Sequence, residues 1–290
     1  MTLDNIVIRR GKVEDAAQCT SIFYKAFKAN AERHNFPNEI APPDSRTVSS
    51  WSKRFSHPGY YGVVAELDGH IVGSNFLDER DPIAGVGPLT VDPSAQDNRV
   101  GRRLMEAVLI RYVEKQHPGV RLVQAAYNRR SLVLYAKLGF EIREMLASMQ
   151  GPPLQLQIPG HNIRPATKAD LDFCNHLCKR VHGHERSAVL LDAIELGTAT
   201  VVEQENRITG YATVIGFSGH AVGESNSDLK ALIGAAPEFT GIAGFLVPTR
   251  NGELFRWCLQ NGLRIVLPLT LMSLGLYNEP SGSFLPSIYY

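Results

Sequence analysis

The chain has 290 residues, of which 44% are hydrophobic and 20% are charged, an ordinary composition for a globular protein. At roughly 150 residues per domain, this length favours two domains. Thirty basic residues face 29 acidic ones, and a net charge of +1 excludes bulk attraction to nucleic acid or to an anionic membrane. With four unpaired cysteines and no long apolar run, we expect a reduced, cytoplasmic protein.

The first half alternates strand and helix patterns, which predicts an α/β fold with a mixed sheet flanked by helices. In chain order, we predict a strand at 5–10, a helix at 13–30, a short helix near 46–55, strands at 61–67, 70–78 and 85–91, a helix at 99–116, a strand at 120–126, a helix at 129–138 and a strand near 140–148.

The pattern occurs a second time in the other half of the chain. Ile8-Arg9, Asp15 and Cys19 return as Ile163-Arg164, Asp170 and Cys174. The apolar run at 63–73 resembles the run at 201–210, and a glycine suited to a left-handed helix end occurs at Gly139 and again at Gly262. We therefore predict two tandem domains, 1–149 and 161–290, joined by a Pro- and Gly-rich linker at 150–160.

The segment LTVDPSAQDNRVGRRLM contains the clearest chemical signal. The strand Leu89–Val91 ends at a proline, and a polar turn leads into an amphipathic helix, whose free N–H groups favour an anion. Arg99, Arg102 and Arg103 occupy the first turns of this helix, where positive charge opposes the helix dipole unless an anion is bound. A solvated basic face is an equally open interpretation.

This segment and YNRRSLVLYAKLGF resemble, in order and spacing, the two cofactor motifs of the GCN5-related N-acetyltransferase (GNAT) family. The resemblance covers 5–148 and implies acetyl-CoA as cosubstrate and an amine as acceptor, with the second half a diverged GNAT-like copy. Asn128 would contact the pantetheine arm, and Tyr135 would protonate the departing thiolate. The other implied cofactor contacts are Leu89, Thr90 and Val91 on the strand, and Gln96, Asp97, Asn98, Arg99, Val100, Gly101, Arg102 and Arg103 in the loop and helix start.

Arg99 departs from the family pattern, which has its first motif glycine at this position. Glycine allows a close backbone approach to phosphate or unusual dihedral angles. We expect Arg99 to stay helical and to direct its guanidinium at the phosphates, with weakened cofactor binding as the alternative.

The proton acceptor for the amine is less clearly marked. Asp78, Glu79 and Asp81 follow a predicted strand, and we select Glu79 as the base. A solvated hairpin tip is the competing interpretation.

The second half lacks the Gln-x-x-Gly-x-Gly loop. We take GIAGFLVP as its equivalent of the strand before the loop, followed by a helix that Thr249 or Asn251 can cap. We therefore expect this copy to have lost cofactor binding and to shape either the acceptor site or the domain interface. Its polar candidates are His220, Glu224 and the tail at 276–290, which we expect to end in a packed strand.

No metal site is predicted. His182-Gly-His184-Glu185 has no third ligand at suitable spacing, so it is interpreted as a surface turn. Cys174 and Cys178 are interpreted as small buried apolar residues.

These observations predict an acetyl-CoA-dependent N-acetyltransferase, with one cofactor site per chain and a small-molecule amine as acceptor. One alternative is a non-catalytic acyl-CoA-binding sensor. Another is acylation of a protein lysine or N-terminus, which differs only in the acceptor. Neither nucleic acid nor membrane is an expected partner, and a homodimer stays open.

Overall fold

A similar order of elements occurs twice along the chain, which a computed structural model describes for residues 5–38 and 40–289. The first set contains β1 (Ile6–Arg10), α1 (Ala16–His34), α2 (Ser45–Ser56), β2 (Tyr60–Leu67), β3 (His70–Asp78), β4 (Ile83–Val86), β5 (Thr90–Val91), α3 (Val100–Glu114), β6 (Gly119–Ala125), α4 (Arg129–Lys137) and β7 (Glu141–Gln150). The second contains β8 (Asn162–Pro165), α5 (Leu171–His182), α6 (Ser187–Glu195), β9 (Thr200–Gln204), β10 (Arg207–Ala212), β11 (Ala221–Gly223), α7 (Asn226–Ala235), β12 (Phe245–Pro248), α8 (Gly252–Gln260), β13 (Arg264–Gly275) and β14 (Ser283–Leu285).

The chain divides into two compact units. Unit 1 comprises the chain up to Arg121 together with Tyr289, and unit 2 comprises Leu122–Ile288. Residues 151–161 contain no helix or strand. The domain bounds at 149 and 161, with the linker between them, stay a prediction.

Unit 1 is built on a mixed sheet. Antiparallel pairing joins β1 to β2, β2 to β3 and β3 to β4, and β4 pairs in parallel with the first residues of β6. On one face, Trp51 and Phe55 of α2 pack against Phe76 of β3, with 5.2 Å between the ring centroids of Trp51 and Phe76. On the other face, Asn75 donates to the sulfur of Met105 in α3, since neighbouring strand residues point to opposite sides.

The predicted strand at 85–91 is interrupted. It forms β4 and β5, which are separated by Gly87, Pro88 and Leu89. Gly87 has φ of 130°, in the region that favours glycine, and Pro88 has no N–H to donate to a ladder. The other predicted elements of the first half are present, with ends shifted by a few residues.

Unit 2 contains two groups of paired strands. In the first, β7 lies between β13 and β12, antiparallel to both. In the second, the order is β14-β11-β10-β9-β8, and every pair is antiparallel. The predicted final strand in the tail is confirmed as β14, although Tyr290 lies outside the described residues. The predicted α/β class, with a mixed sheet flanked by helices, is confirmed, whereas the sheet from β14 to β8 is antiparallel throughout. No helix of the described residues is long and apolar enough to span a bilayer.

Each copy contains the same ion-pair triad at its start. Arg9 contacts Asp15 at 2.7 Å and Glu66 at 2.7 Å. In the second copy, Arg164 contacts Asp170 and Glu203, both at 2.8 Å. The hydrogen bond from Arg164 holds the pKa of Asp170 well below its usual range. This shared arrangement, which fastens the first strand to the helix after it, supports the internal repeat.

The interpretation of His182-Gly-His184 as a surface turn is wrong, because both imidazole rings are buried. Gly183 ends α5 at φ of 77°, and the buried side chains of Arg186 and His220 lie in the same region of unit 2. His220 Nε2 is 3.1 Å from the hydroxyl of Tyr211. Burial lowers the pKa of His220 well below its ordinary value, and the positive neighbours add to this shift.

The buried His220 predicts acid sensitivity. Its folded-state pKa is depressed, so its neutral form supports the fold above about pH 6.5, and this contribution is lost as the pH falls. His220→Gln can keep the bond to Tyr211 without titrating. Between pH 6.5 and 5, we expect the variant to lose less unfolding free energy than the wild type, by up to about 1.4 kcal/mol per pH unit in urea titrations. His176 is exposed, so the control His176→Gln should show the same change of unfolding free energy with pH as the wild type. An equal pH dependence of unfolding free energy in His220→Gln and the wild type would contradict the assignment of this acid sensitivity to His220.

Candidate functional site

The strand β5 presents one unpaired edge. Thr90 is buried, and its hydroxyl lies 2.9 Å from that of Ser74 on β3. The Asp92 N–H donates to the Val72 carbonyl at 2.8 Å, so the N–H of Val91, one residue earlier, points away from β3. Among the described residues, β5 pairs only with β3. Leu89–Val91 can therefore accept an extended ligand along its outer edge, like an added strand.

The loop after β5 is held by short-range hydrogen bonds. Asp92 caps a single helical turn by accepting from the N–H and hydroxyl of Ser94. Gln96 donates to the Val91 carbonyl at 3.4 Å, and Asn98 donates to the Ala95 carbonyl at 3.4 Å. The motif residues Gln96 and Asn98 therefore shape the loop through their side chains.

The expectation that Arg99 stays helical is wrong. Arg99 has φ of 58° and ψ of 9°, and Asp97 has φ of 72°, so both lie in the left-handed region. This region costs a residue with a side chain about 1–2 kcal/mol, and glycine avoids that cost. The backbone here takes the conformation that the family's glycine favours, although the side chain is arginine.

The N-terminus of α3 has the features of an anion site. Arg99 occupies the N-cap position, but its side chain makes no capping hydrogen bond, and the first turn contains no acidic residue. The N–H groups of Val100, Gly101 and Arg102 precede the first helical hydrogen bond, which Arg103 donates to the Arg99 carbonyl. An anion would satisfy these donors and complement the helix dipole. Arg102 pairs with Glu106 on the exposed side of the helix at 2.7 Å.

Asn128 lies in unit 2 as the N-cap of α4. Its side-chain oxygen accepts from the Ser131 N–H at 3.3 Å. Asparagine is a common residue at this position for that reason alone. The structure thus shows a capping role for Asn128, and its contact with the pantetheine arm stays a prediction.

Tyr135, also in unit 2, is a buried phenol on α4. Its ring packs 6.1 Å from that of Phe140, and the side chain is hydrogen-bonded to Ser131. Burial raises the pKa of Tyr135 to about 12. The group is therefore protonated at neutral pH and can act as a proton donor, as the predicted role requires.

Glu79 is held by an arginine. Both of its carboxylate oxygens accept from Arg111, at 2.6 and 3.1 Å, and the side chain is largely buried. Along the sheet, Glu79 follows Asp78, whereas Thr90 lies opposite Ser74. At about 3.3 Å per residue, Glu79 and Thr90 are therefore roughly 16 Å apart along the strand direction. The role of Glu79 as the base stays a prediction.

In the second copy, side chains cap the start of the corresponding helix. After β11, Ser225 accepts from the Asp228 N–H, and Asp228 accepts from the Ser225 N–H at 2.8 Å, so that α7 caps itself. Asp228 is fully buried and also accepts from Gln204 and Thr209. These hydrogen bonds occupy backbone N–H groups that a bound phosphate would need, and the carboxylate of Asp228 would repel the phosphate.

This placement corrects the register expected for the second copy. The strand before the missing loop is β11, whereas GIAGFLVP forms β12, the counterpart of β6. Asn251 caps α8 as Asn128 caps α4, and Gly262 follows it at φ of 83° as Gly139 follows α4 at φ of 92°. In the same register, buried Cys258 takes the place of Tyr135. The Ser-x-x-Asp cap before an apolar run was visible in the sequence and was missed.

The remaining candidates of unit 2 are held in place by their neighbours. Glu224 pairs with Arg180 and Arg207, each at 2.5 Å, and His220 is buried against Tyr211. Among the described residues, no group of three or more His, Cys, Asp or Glu side chains is placed to hold a metal ion.

Residues 23–140 match the model of the acetyltransferase (GNAT) family. This segment is therefore similar to that family over less than half of the chain. A mycothiol acetyltransferase of Thermomonospora curvata is 36% identical over 91 residues, a match that spans 31% of this chain and 31% of the relative.

Two solved structures share the fold over almost the whole chain. A proposed acetyltransferase from Pyrococcus horikoshii has a TM-score of 0.76 at 19% identity, covering 99% of this chain and 95% of its own. A GCN5-related N-acetyltransferase from Sphaerobacter thermophilus has a TM-score of 0.61 at 13% identity, covering 95% and 97%. This chain and these two proteins therefore share one fold, which includes the repeated order of elements.

The left-handed backbone at Arg99 predicts that glycine stabilises the protein. Arg99→Gly removes the steric cost of about 1–2 kcal/mol, against an entropic cost of about 0.5–1 kcal/mol in the unfolded chain. We expect a net gain of up to about 1 kcal/mol in urea unfolding. Arg103→Gly, a helical position in the same segment, is the control and should lose about 1 kcal/mol. Destabilisation by both substitutions would contradict the assigned conformation.

Proposed function

We propose that the chain is an acetyl-CoA-dependent N-acetyltransferase with one acyl-CoA site, formed around the loop of unit 1, and a small-molecule amine as acceptor. The contrast between the two helix starts carries this proposal: α3 is uncapped beside a free strand edge, whereas α7 caps itself. The name of the Thermomonospora curvata relative supports acetyl transfer as the reaction.

The residues of unit 1 fit the chemistry of an acyl-CoA. Bound acetyl-CoA supplies an activated thioester. The N–H groups of Val100, Gly101 and Arg102 would hold its pyrophosphate, and Arg99 and Arg103 would add positive charge. The outward N–H of Val91 would donate to the arm or to the thioester carbonyl, which stabilises negative charge that develops on that oxygen.

The transfer itself would be direct. The neutral amine nitrogen forms a bond to the thioester carbon, the carbon–sulfur bond breaks, and the amine proton passes to a base. In this proposal Tyr135 gives its proton to the departing thiolate, and Glu79 or a water accepts the amine proton.

The first test places an acidic residue where the second copy has one. Arg102 is the third residue of α3, as Asp228 is of α7. The Arg102→Asp substitution introduces a negative charge that interacts favourably with the helix dipole. The same charge would repel a pyrophosphate bound at the helix start, and juxtaposed like charges cost several kcal/mol. In calorimetric titrations we expect one acetyl-CoA site per wild-type chain, and at least a roughly 100-fold loss of affinity in the variant, or about 2.7 kcal/mol.

Two control variants separate charge reversal from loss of the arginine. Arg102→Gln should bind within about tenfold of wild type, since the backbone donors remain. Arg46→Asp makes the same charge change at the exposed start of α2 and should bind as wild type does. Unchanged binding by Arg102→Asp, or two sites per wild-type chain, would overturn the assignment of one site at α3.

The second test removes the phenol of Tyr135. Tyr135→Phe keeps the buried ring and deletes the proton donor, so kcat should fall by about 10²–10⁴ while acetyl-CoA affinity stays the same. The measurement is release of free thiol with a panel of amines. Because the pKa of Tyr135 is about 12, its ionisation should not limit the wild-type rate between pH 7 and 10. An unchanged kcat would remove Tyr135 from the mechanism, and absence of thiol release by wild-type protein that binds acetyl-CoA would favour the sensor function.

A further inference from the structure

Arginine and tyrosine side chains gather at one end of β2 and β3, on the face of unit 1 that carries α2. The guanidinium of Arg54 lies 4.3 Å from the ring centroid of Tyr289 and 5.7 Å from that of Tyr60. Arg80 lies 4.6 Å from the Tyr60 ring and pairs with Asp78 at 2.6 Å. We name these five residues the Arg54 cluster.

The cluster has an excess of positive charge. Asp78 is matched by Arg80, at side-chain exposures of only 17% and 14%. Arg54 is half-buried between two rings, and no carboxylate of the described residues forms an ion pair with it. Stacking on rings contributes about 0.5–2 kcal/mol. Arg54 also makes a side-chain hydrogen bond with Tyr289, and its remaining N–H groups can donate to a ligand. The arrangement suits one further monoanion.

The Arg54 cluster adjoins the strand that leads to the proposed thioester position. Gly85 of β4 lies opposite Asp78, and a methyl group at Gly85 would come within 2.5 Å of the Tyr289 carbonyl oxygen. Gly85 precedes Leu89 by four residues, a distance of at most about 13 Å at 3.3 Å per residue. A ligand of modest length can therefore span from Leu89 to the cluster.

The direction of the cofactor places the acceptor on the same side. The uncapped start of α3 follows the C-terminal end of β5, so an arm anchored there runs back along Val91 and Leu89 with its acyl end towards β4. In this proposal the amine approaches that end from the side of β4, the strand that adjoins Tyr289, and Arg54 stacks on the Tyr289 ring.

From this geometry we infer that the acceptor is an amine that also carries a carboxylate, and that Arg54 binds this carboxylate. The inference rests on the proposed function for the reaction but concerns binding by residues of unit 1. A phosphate dianion would fit less well, because Asp78 already neutralises Arg80 and the cluster keeps a single positive charge to match. Arg54 is in this role a residue that determines specificity.

Triglycine and triglycine amide provide a matched pair, because they differ in the carboxylate and an extended chain of three residues spans about 10 Å. With acetyl-CoA and wild-type protein, kcat/KM for triglycine should exceed that for the amide at least tenfold, mainly through KM. Arg54→Met should bring the ratio to within about twofold. Arg54→Lys keeps the positive charge but loses the paired N–H groups of a guanidinium. Its ratio should lie between the wild-type ratio and that of Arg54→Met.

Lys53→Met is the control on the same helix, since Lys53 is exposed and adjacent to Arg54. It should keep the wild-type preference for the acid. Circular dichroism and acetyl-CoA titration of each variant separate misfolding from loss of acceptor binding. Equal rates for acid and amide in the wild type, or a preference that survives in both Arg54 variants, would overturn the inference.

A binding measurement keeps this inference separate from the proposed catalysis. Triglycine and its amide are titrated calorimetrically into wild-type and Arg54→Met protein saturated with coenzyme A. Acid-selective binding that Arg54→Met abolishes supports the carboxylate site even if no thiol is released, a result that would count against the transferase alone. Failure of triglycine to bind, or equal binding of acid and amide by wild-type protein, counts against the carboxylate site whatever the activity.

Discussion

The backbone N–H groups at the start of a helix need acceptors, and the two copies in this chain satisfy that constraint in different ways. In α7 the acceptors are internal, because Ser225 and Asp228 exchange hydrogen bonds at the helix start. In α3 the N-cap residue is Arg99, which supplies no capping oxygen, and basic side chains follow it. The two copies therefore differ at the helix start where the proposed phosphate site lies, and the difference comes from a few residues.

The loop before α3 shows how the chain keeps this helix start open. Residues in the left-handed region at Asp97 and Arg99 turn the backbone sharply, and the side chains of Gln96 and Asn98 bond backward to carbonyls of the strand and the short helical turn. Such conformations cost free energy and are commonly kept where function requires them. The arginine at position 99 adds a positive charge at a place where the backbone would prefer glycine, so the loss in stability accompanies a gain in electrostatic attraction for an anion.

The sequence was a good guide where a local pattern had a local cause. Strand and helix order, the left-handed glycines at Gly139 and Gly262 and the buried Cys174 followed from periodicity and capping rules. The conformation of Arg99 could not be read from its residue type, because arginine usually avoids that region and the surrounding loop imposes it. The register of the second copy was wrong because apolar runs resemble one another, whereas its Ser-x-x-Asp cap gave a better marker. The Arg54 cluster had no sequence signal, since its members come from four separate segments of unit 1.

The second copy also differs at the position proposed for the acid, which is independent of the helix start. Where α4 carries Tyr135, α8 carries Cys258, and burial raises the pKa of that thiol to about 12. A buried neutral thiol is only a weak hydrogen-bond donor, so it does not replace a phenol that must donate a proton. A self-capped helix and a missing phenol each act against acyl transfer by a different physical route. Because the capping residue Asn251 and Gly262 are retained, the second copy has kept features that hold the fold and lacks those that the proposed chemistry would need.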